Sequence, residues 1–378
     1  MRSLLSAMMV LLCTAVSSPA ALRGQALPFD FSSVIFGNYQ MRVDSQAKAA
    51  TGGKPSNRFD IARAYLTFRF PVGEKASARV TTDIFQQSNA TTAAYYPGWS
   101  VRLKYGYLQY DATRSLFGVD GLGASAHIGM LQTVVIEQIE TYWPRWLGNT
   151  APDMHGFFSS ADVGVAGTFT LPKRFGEIYA TVTNGPGFSA PENDRFKDVA
   201  ARLTITPFAN DSGFLRTFAI TPWYYKGWLA SAYTQETPVV SEGLQKDRRG
   251  VFVGVRDRKL TLGVELDQRL EELETTAPPA PRGALNDRTS ELFSAFVIAR
   301  PAEWVGTGQR SRFGVVGRFD RFTIDTDAQP YTEFLVAGAT WDLNSRISLA
   351  LDYQASTPRR NPTGVPVNTW FFHYVATF

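Results

Sequence analysis

The chain has almost none of the residues that staple a small fold or build a metal centre. One cysteine, Cys13, and three histidines, His127, His155 and His373, occur in 378 residues. A lone cysteine excludes a disulfide framework, and so few sulfur and imidazole ligands leave no His/Cys-rich metal site. Cys13 sits in an N-terminal apolar run. It is not read as a lipid attachment site, because Leu12 precedes it where a small residue is needed. No later stretch reaches about 18 consecutive apolar residues, so no membrane-spanning helix is expected. A strong charge imbalance is also missing. The formal net charge is +4, and loss of Arg2 and Arg23 with a leader leaves 36 basic residues against 34 acidic, which gives no argument for nucleic acid as a partner. No cofactor is implied.

The two ends of the chain carry the strongest signals. Residues 1–26 read as a secretory signal peptide: a positive start at Arg2, an apolar run from Leu4 to Val16, then small residues, with cleavage possible after Ala20 or Ala26 and favoured after Ala26. The last nine residues, Trp370 to Phe378, place Trp370, Phe372, Tyr374, Ala376 and Phe378 at every second position. That period puts all five on one face of a strand. An amphipathic strand ending on a bare aromatic suits the closing strand of an outer-membrane β-barrel, whose apolar face meets lipid. Composition agrees. Aromatics make up 13% of the chain, as interfacial girdles require, and a mean hydropathy of −0.14 is what alternating lipid and water faces average to.

Amphipathic runs recur throughout 27–378 and predict an all-β, antiparallel transmembrane barrel of about 16 strands: 31–43, 58–70, 76–86, 99–110, 122–132, 161–171, 177–184, 196–206, 214–226, 250–257, 259–268, 290–300, 311–324, 331–342, 345–356 and 369–378. The connections alternate between short turns, such as 71–75, 171–176 and 343–345, and longer polar loops, such as 44–57, 133–160, 227–249 and 269–289. Segments 325–330 and 256–259 fit this alternation poorly. Sixteen strands leave a water channel where eight would be filled by side chains. Strand-like sequence starts close to the leader, so no plug domain is expected.

Parity assigns the faces. Arg or Lys on the lipid face costs about 2–4 kcal/mol at the bilayer midplane, so charged residues are sent inward. This makes Arg63, Arg69, Arg79, Arg102, Lys104, Arg202, Arg256 and Arg318 lumenal, with Asp83, Asp162, Asp198, Glu265, Asp267 and Asp352. Ala62, Ala64, Leu66, Val101, Leu103, Tyr105 and Tyr107 are expected on the lipid side. The basic residues concentrate on the second to fourth strands, where they form a positive wall able to draw anions; pairing of Arg with Asp across the barrel is the alternative. Loop 133–160 is too rich in aromatic and apolar residues to lie in water. It is expected to fold inward as the third extracellular loop, with Glu137, Glu140, Tyr142, Trp143, Arg145 and Trp146 forming a constriction. Its acidic residues work against simple anion selectivity.

Several stretches, in order, resemble the phosphate-selective porin family. Arg58–Leu66 is similar to its arginine-rich second strand, and Lys104–Tyr110 to a later one. Gly129, Thr133 and Glu137 keep part of its motif leading into the third loop, with Val134 where a Pro is common. Asp162–Val165, Asn184-Gly185 and Lys197–Leu203 follow. The similarity covers roughly residues 30–205. It implies a sixteen-stranded trimeric pore of the bacterial outer membrane passing small hydrophilic solutes, anions such as phosphate among them, with Arg63, Arg69 and Arg79 in the anion-selecting part. Loop 133–160, however, contains no Lys. Two other readings stand beside it: a channel for hydrophobic or aromatic compounds, and a barrel hydrolase in which His155 works with Ser159 or Ser160. The hydrolase lacks a third member and an oxyanion element, so no enzyme is expected.

Overall fold

Each strand pairs antiparallel with its neighbours in sequence, and the last pairs with the first, which closes the sheet into a sixteen-stranded barrel. The computed structural model describes residues 29–86, 98–113, 122–232, 243–277, 283–305, 310–361 and 363–378. The leader expected at 1–26, with its cleavage positions Ala20 and Ala26, lies outside the described residues. The strands are β1 Asp30–Arg42, β2 Ser56–Pro71, β3 Ala76–Gln86, β4 Trp99–Asp111, β5 Gly123–Gln132, β6 Ala161–Thr170, β7 Gly176–Thr183, β8 Asp198–Ile205, β9 Ala219–Ala230, β10 Gly243–Arg256, β11 Leu260–Glu274, β12 Leu285–Ala299, β13 Phe313–Thr323, β14 Tyr331–Asp342, β15 Ile347–Arg359 and β16 Val367–Thr377. Closure runs from Val34 opposite Thr377 to Arg42 opposite Thr369. Phe378 completes it by donating its N–H to Ser33 O at 2.9 Å. A closed ring leaves no unpaired edge, which is the condition for a sheet to stand in lipid.

The strand count agrees with the sequence reading, but several boundaries differ. Residues 214–217, expected to open the ninth strand, form a 3-10 turn, and β9 starts at Ala219. Strand β10 starts seven residues earlier than its alternation indicates, and β11 and β12 also extend toward the loop end. These extensions carry polar residues on both faces, so a periodicity argument reads them as loop. The 256–259 turn, apparently out of step, joins β10 to β11 at the same end as the other short turns.

Two bulges reset the inward parity that alternation predicts. Opposite β1 the register slips between Phe36 and Gly37, which leaves Ala62 as an extra residue on β2; Phe59 and Ile61 then point outward before it, and Ala64 and Leu66 after it. Opposite β3 the register slips between Thr81 and Thr82, with Lys104 as the extra residue on β4. Tyr105 therefore faces inward, 3% exposed, and Tyr107 packs against the buried cluster, both contrary to the outward placement expected. Gly37 makes the first bulge possible, since a Cβ there would lie 2.2 Å from Asp60 O.

The burial pattern is inverted relative to a water-soluble protein. Asp83, Asp198, Glu265, Asp320 and Asp352 are buried, whereas Val101, Leu108, Ile128, Leu266 and Leu351 are each more than half exposed on the outer surface. Isolated buried carboxylates are strongly disfavoured unless paired or hydrogen-bonded, and a continuous apolar exterior is costly in water. Lipid outside and polar groups inside resolve both.

Candidate functional site

The interior of the barrel is crossed by contacts from segment 133–160, which contains the short helices Ile136–Glu140 and Ala151–Met154. Val134, Ile136, Leu147 and Phe157 of this segment are fully buried. Trp143 packs on Phe296 of β12 with ring centroids 5.3 Å apart, and Phe158 packs on Trp223 of β9 at 5.1 Å. Trp146 meets His373 of β16 edge-on at 6.3 Å. Four inward-facing arginines donate to backbone carbonyls of the segment. Arg202 on β8 reaches Val134 O at 3.0 Å and Arg269 on β11 reaches Gly156 O at 3.0 Å. Arg256 at the end of β10 holds Thr141 O, and Arg318 on β13 holds Asn149 O. Gln354 on β15 adds a bond to Leu147 O at 2.9 Å. Charge-assisted bonds of this kind are each worth roughly 1.5–3 kcal/mol.

Within the segment, Arg145 joins Glu140 and Asp153, the latter at 2.8 Å. Burial opposes the Arg145 charge, but Tyr65, Glu140 and Asp153 around it hold the guanidinium above its ordinary range. Glu137 pairs with Arg79 of β3 at 3.3 Å. Tyr142 stacks at a tilt on Phe252 of β10 with centroids 5.0 Å apart. His155 Nε2 lies 3.2 Å from Asp320 and its ring stacks on Phe322 at 4.8 Å. Ser159 Oγ instead donates to Ala161 O at 3.2 Å. The described contacts therefore bring His155 to neither Ser159 nor Ser160.

Two of the cavities that border this segment are lined by many charged residues. One, of about 480 Å³, lies toward the loop end and is lined by Arg63, Arg102, Lys104, Arg145, Lys246 and Arg248 against Asp83 and Asp153. The other, of about 980 Å³, lies toward the turn end, where Arg216, Arg256, Arg258, Arg300, Arg310 and Arg312 meet Glu140, Asp257, Glu303 and Asp342. Cations outnumber carboxylates in both, more strongly in the first. Asp83 serves two arginines, with Arg102 Nη2 at 2.9 Å and Arg63 Nε at 3.7 Å. Lys104 is 4% exposed, and among the described residues no hydrogen bond or carboxylate reaches its ammonium. Ring faces stand there instead, Tyr65 at 4.2 Å and Tyr105 at 5.3 Å. Such cation–π contacts offset only part of the cost of burying an ammonium.

The sequence-selected cations thus fall into three groups. Arg63, Arg102 and Lys104 share the loop-side cavity. Arg79, Arg202, Arg256 and Arg318 contact segment 133–160. Arg69 lies apart, in a groove at the turn end beside Asp30, Glu74 and Lys75. Lys246 and Arg248 were not legible as lining residues, because their strand was not recognised that far. Lys246 bonds Asp198 at 2.7 Å, so its charge is balanced where that of Lys104 is not. Among the described residues there is no cluster of metal-ligating side chains.

Comparison with known proteins places this geometry in a class by its fold. No family model matches the chain, and no curated protein matches it. Solved structures do. An anion-selective porin from Comamonas acidovorans superposes with a TM-score of 0.61 at 8% identity, covering 93% of this chain and 99% of that one. The outer-membrane channel DcaP of Acinetobacter baumannii gives 0.59 at 10% identity, with coverages of 93% and 97%. OmpT of Vibrio cholerae, an outer-membrane protein in trimer form, gives 0.54 at 10%, with coverages of 93% and 99%. The chain has the sixteen-stranded barrel fold of outer-membrane porins. At these identities the likeness is one of fold.

Proposed function

We propose that this protein is a channel of the bacterial outer membrane through which small hydrophilic solutes diffuse passively, with a preference for anions. The observation that supports it best is the buried ammonium of Lys104 facing a cavity where six cations meet two carboxylates. Arg145, Lys246 and Arg248 are paired with Asp153, Asp198 and Glu271, and Arg63 and Arg102 share Asp83, so the positive excess rests on Lys104 and the shared Asp83. Such an excess lowers the energy of an anion in transit and raises that of a cation. In this reading segment 133–160 folds into the lumen and sets the narrowest point, held by the arginine bonds to its carbonyls. The leader at 1–26 carries the chain out of the cell, and the working unit is a homotrimer, a state supported by the trimer form of the Vibrio cholerae protein. Phosphate is the anion suggested by the sequence resemblance; of its selecting residues Arg63, Arg69 and Arg79, Arg63 lines the loop-side cavity, beside Arg102 and Lys104. The aromatics of 133–160 favour no greasy path, since Trp143, Phe157 and Phe158 are spent on packing. Reversal potentials of the purified protein in planar bilayers under a KCl gradient test the reading. Anion preference is expected, and a cation preference or absence of conductance would contradict it.

A further inference from the structure

On the outer surface, at the loop-side border of the apolar band, strands β10 to β13 form a groove of about 610 Å³. Its floor is apolar: Val251, Leu266 and Phe293 point outward, with Leu266 54% and Phe293 37% exposed. Its rim is polar and follows from register. Arg249 lies opposite Gln268, Gln268 opposite Glu291, and Phe293 opposite Arg321. Two residues further along each strand, at the next outward position, the side chain changes from aliphatic or aromatic to charged or amide.

Neither rim arginine has a carboxylate partner among the described residues. Arg249 donates to the neutral Gln268 carbonyl, at 2.9 Å from Nε. Arg321 has only the Tyr331 ring, 4.3 Å from its guanidinium carbon. Of the two carboxylates bordering the groove, Asp267 is buried on the inner side at 4% exposure, and Glu291 on the outer rim accepts a long bond of 3.4 Å from Gln268, which leaves one positive charge in excess on the outer face. Glu333, which lies opposite Arg321 on β14, is engaged instead by Arg359 at 2.8 Å. Unmatched guanidinium groups directly above an exposed aliphatic floor are complementary to one kind of molecule, an amphiphile with a negatively charged head and hydrocarbon tails.

We infer that this groove is a binding site for a phosphate-bearing anionic lipid of the loop-side leaflet, its headgroup on Arg249 and Arg321 and an acyl chain along Val251, Leu266 and Phe293. The inference rests on the barrel standing in a membrane, and its test separates the two claims. The full-length protein, folded in detergent, is mixed with phosphatidylglycerol or phosphatidylcholine and the retained lipid is read by native mass spectrometry. Retention of phosphatidylglycerol should exceed that of phosphatidylcholine by about tenfold or more, from two arginines near the headgroup plane. The preference should vanish in Arg249→Gln/Arg321→Gln, persist in Arg58→Gln on the distant β2, and resist millimolar inorganic phosphate. Heat-modifiable gel mobility verifies that each variant is a folded barrel. Equal retention of the two lipids, an unchanged preference in the double variant, or displacement by inorganic phosphate overturns the lipid site alone. A chain that dissolves without detergent and shows no heat-modifiable form overturns the membrane reading together with the site.

Discussion

Replacing Arg318 with alanine tests how segment 133–160 is anchored. Arg318 and Asp320, two residues apart on the inner face of β13, are both buried, joined at 2.6 Å between Nη2 and Oδ2 and 2.8 Å between Nε and Oδ1. The same guanidinium bonds Asn149 O and lies 5.0 Å from the Trp143 ring. Arg318→Ala removes all of these and leaves Asp320 with Ser294 at 2.8 Å and His155 at 3.2 Å. Breaking a buried pair by removing one partner costs about 3–5 kcal/mol, most of it the orphaned charge. Urea unfolding in detergent, followed by tryptophan fluorescence, should register that loss. Adding Asp320→Asn to the alanine variant should restore about 1–3 kcal/mol, since it removes the orphan, so the pair should be non-additive by at least 0.5 kcal/mol or so. A loss under about 1 kcal/mol for Arg318→Ala, or no recovery in the double variant, would refute the idea that this pair is dry and holds the segment.

Lys104→Gln should weaken anion preference: one unit charge about 6 Å from a permeating ion in water lowers an anion and raises a cation by about 0.7 kcal/mol each, so the anion-to-cation permeability ratio should drop by up to about tenfold in reversal-potential measurements. Trp143→Ala should cost about 3–5 kcal/mol of stability and raise the open-channel noise in single-channel recordings, because the ring fills a fully buried site between the segment and β12. Asp44 caps the helix Ser45–Ala50 by accepting from Ala47 N at 2.9 Å and takes a further bond from Asn368 N at 3.4 Å, tying this loop to the start of β16. Burial pushes its carboxyl up, but the Ala47 bond, Arg42 and the Asn368 bond outweigh this and hold it below the ordinary value of 3.8. A depressed carboxyl stabilises fully above the ordinary value and loses its effect as pH falls through the depressed one. Amide exchange at Ala47 and Asn368 should therefore accelerate only below pH 3.8, and Asp44→Asn should show no such step.

Much of the barrel was legible because lipid on one side and polar groups on the other impose a strict period of two. All sixteen strands left that mark where they cross the apolar band. It fades where strands rise past the band, which is why Lys246 and Arg248 on β10 and Arg269 on β11 read as loop. It also fails at a bulge: one extra residue at Lys104 turned Tyr105 and Tyr107 inward, and nothing in the local sequence marks it. The aromatic load of 133–160 pointed to burial, but not to the partners. Arg202, Arg256 and Arg318 were selected as wall cations, yet in the structure they donate to this segment's backbone, a pairing set by distant strands.

The central claim is a cylinder with an oily outside and a wet inside, and β2 allows it to be measured. Beyond Cys13 the chain has no cysteine, so single cysteines at positions 63 to 66 can carry spin labels without background. In a bilayer, collision with a water-soluble nickel chelate should be strong at Arg63 and Tyr65, which line the loop-side cavity, and collision with oxygen strong at Ala64 and Leu66. Absence of that alternation, or labels at all four positions equally open to the chelate, would contradict the account.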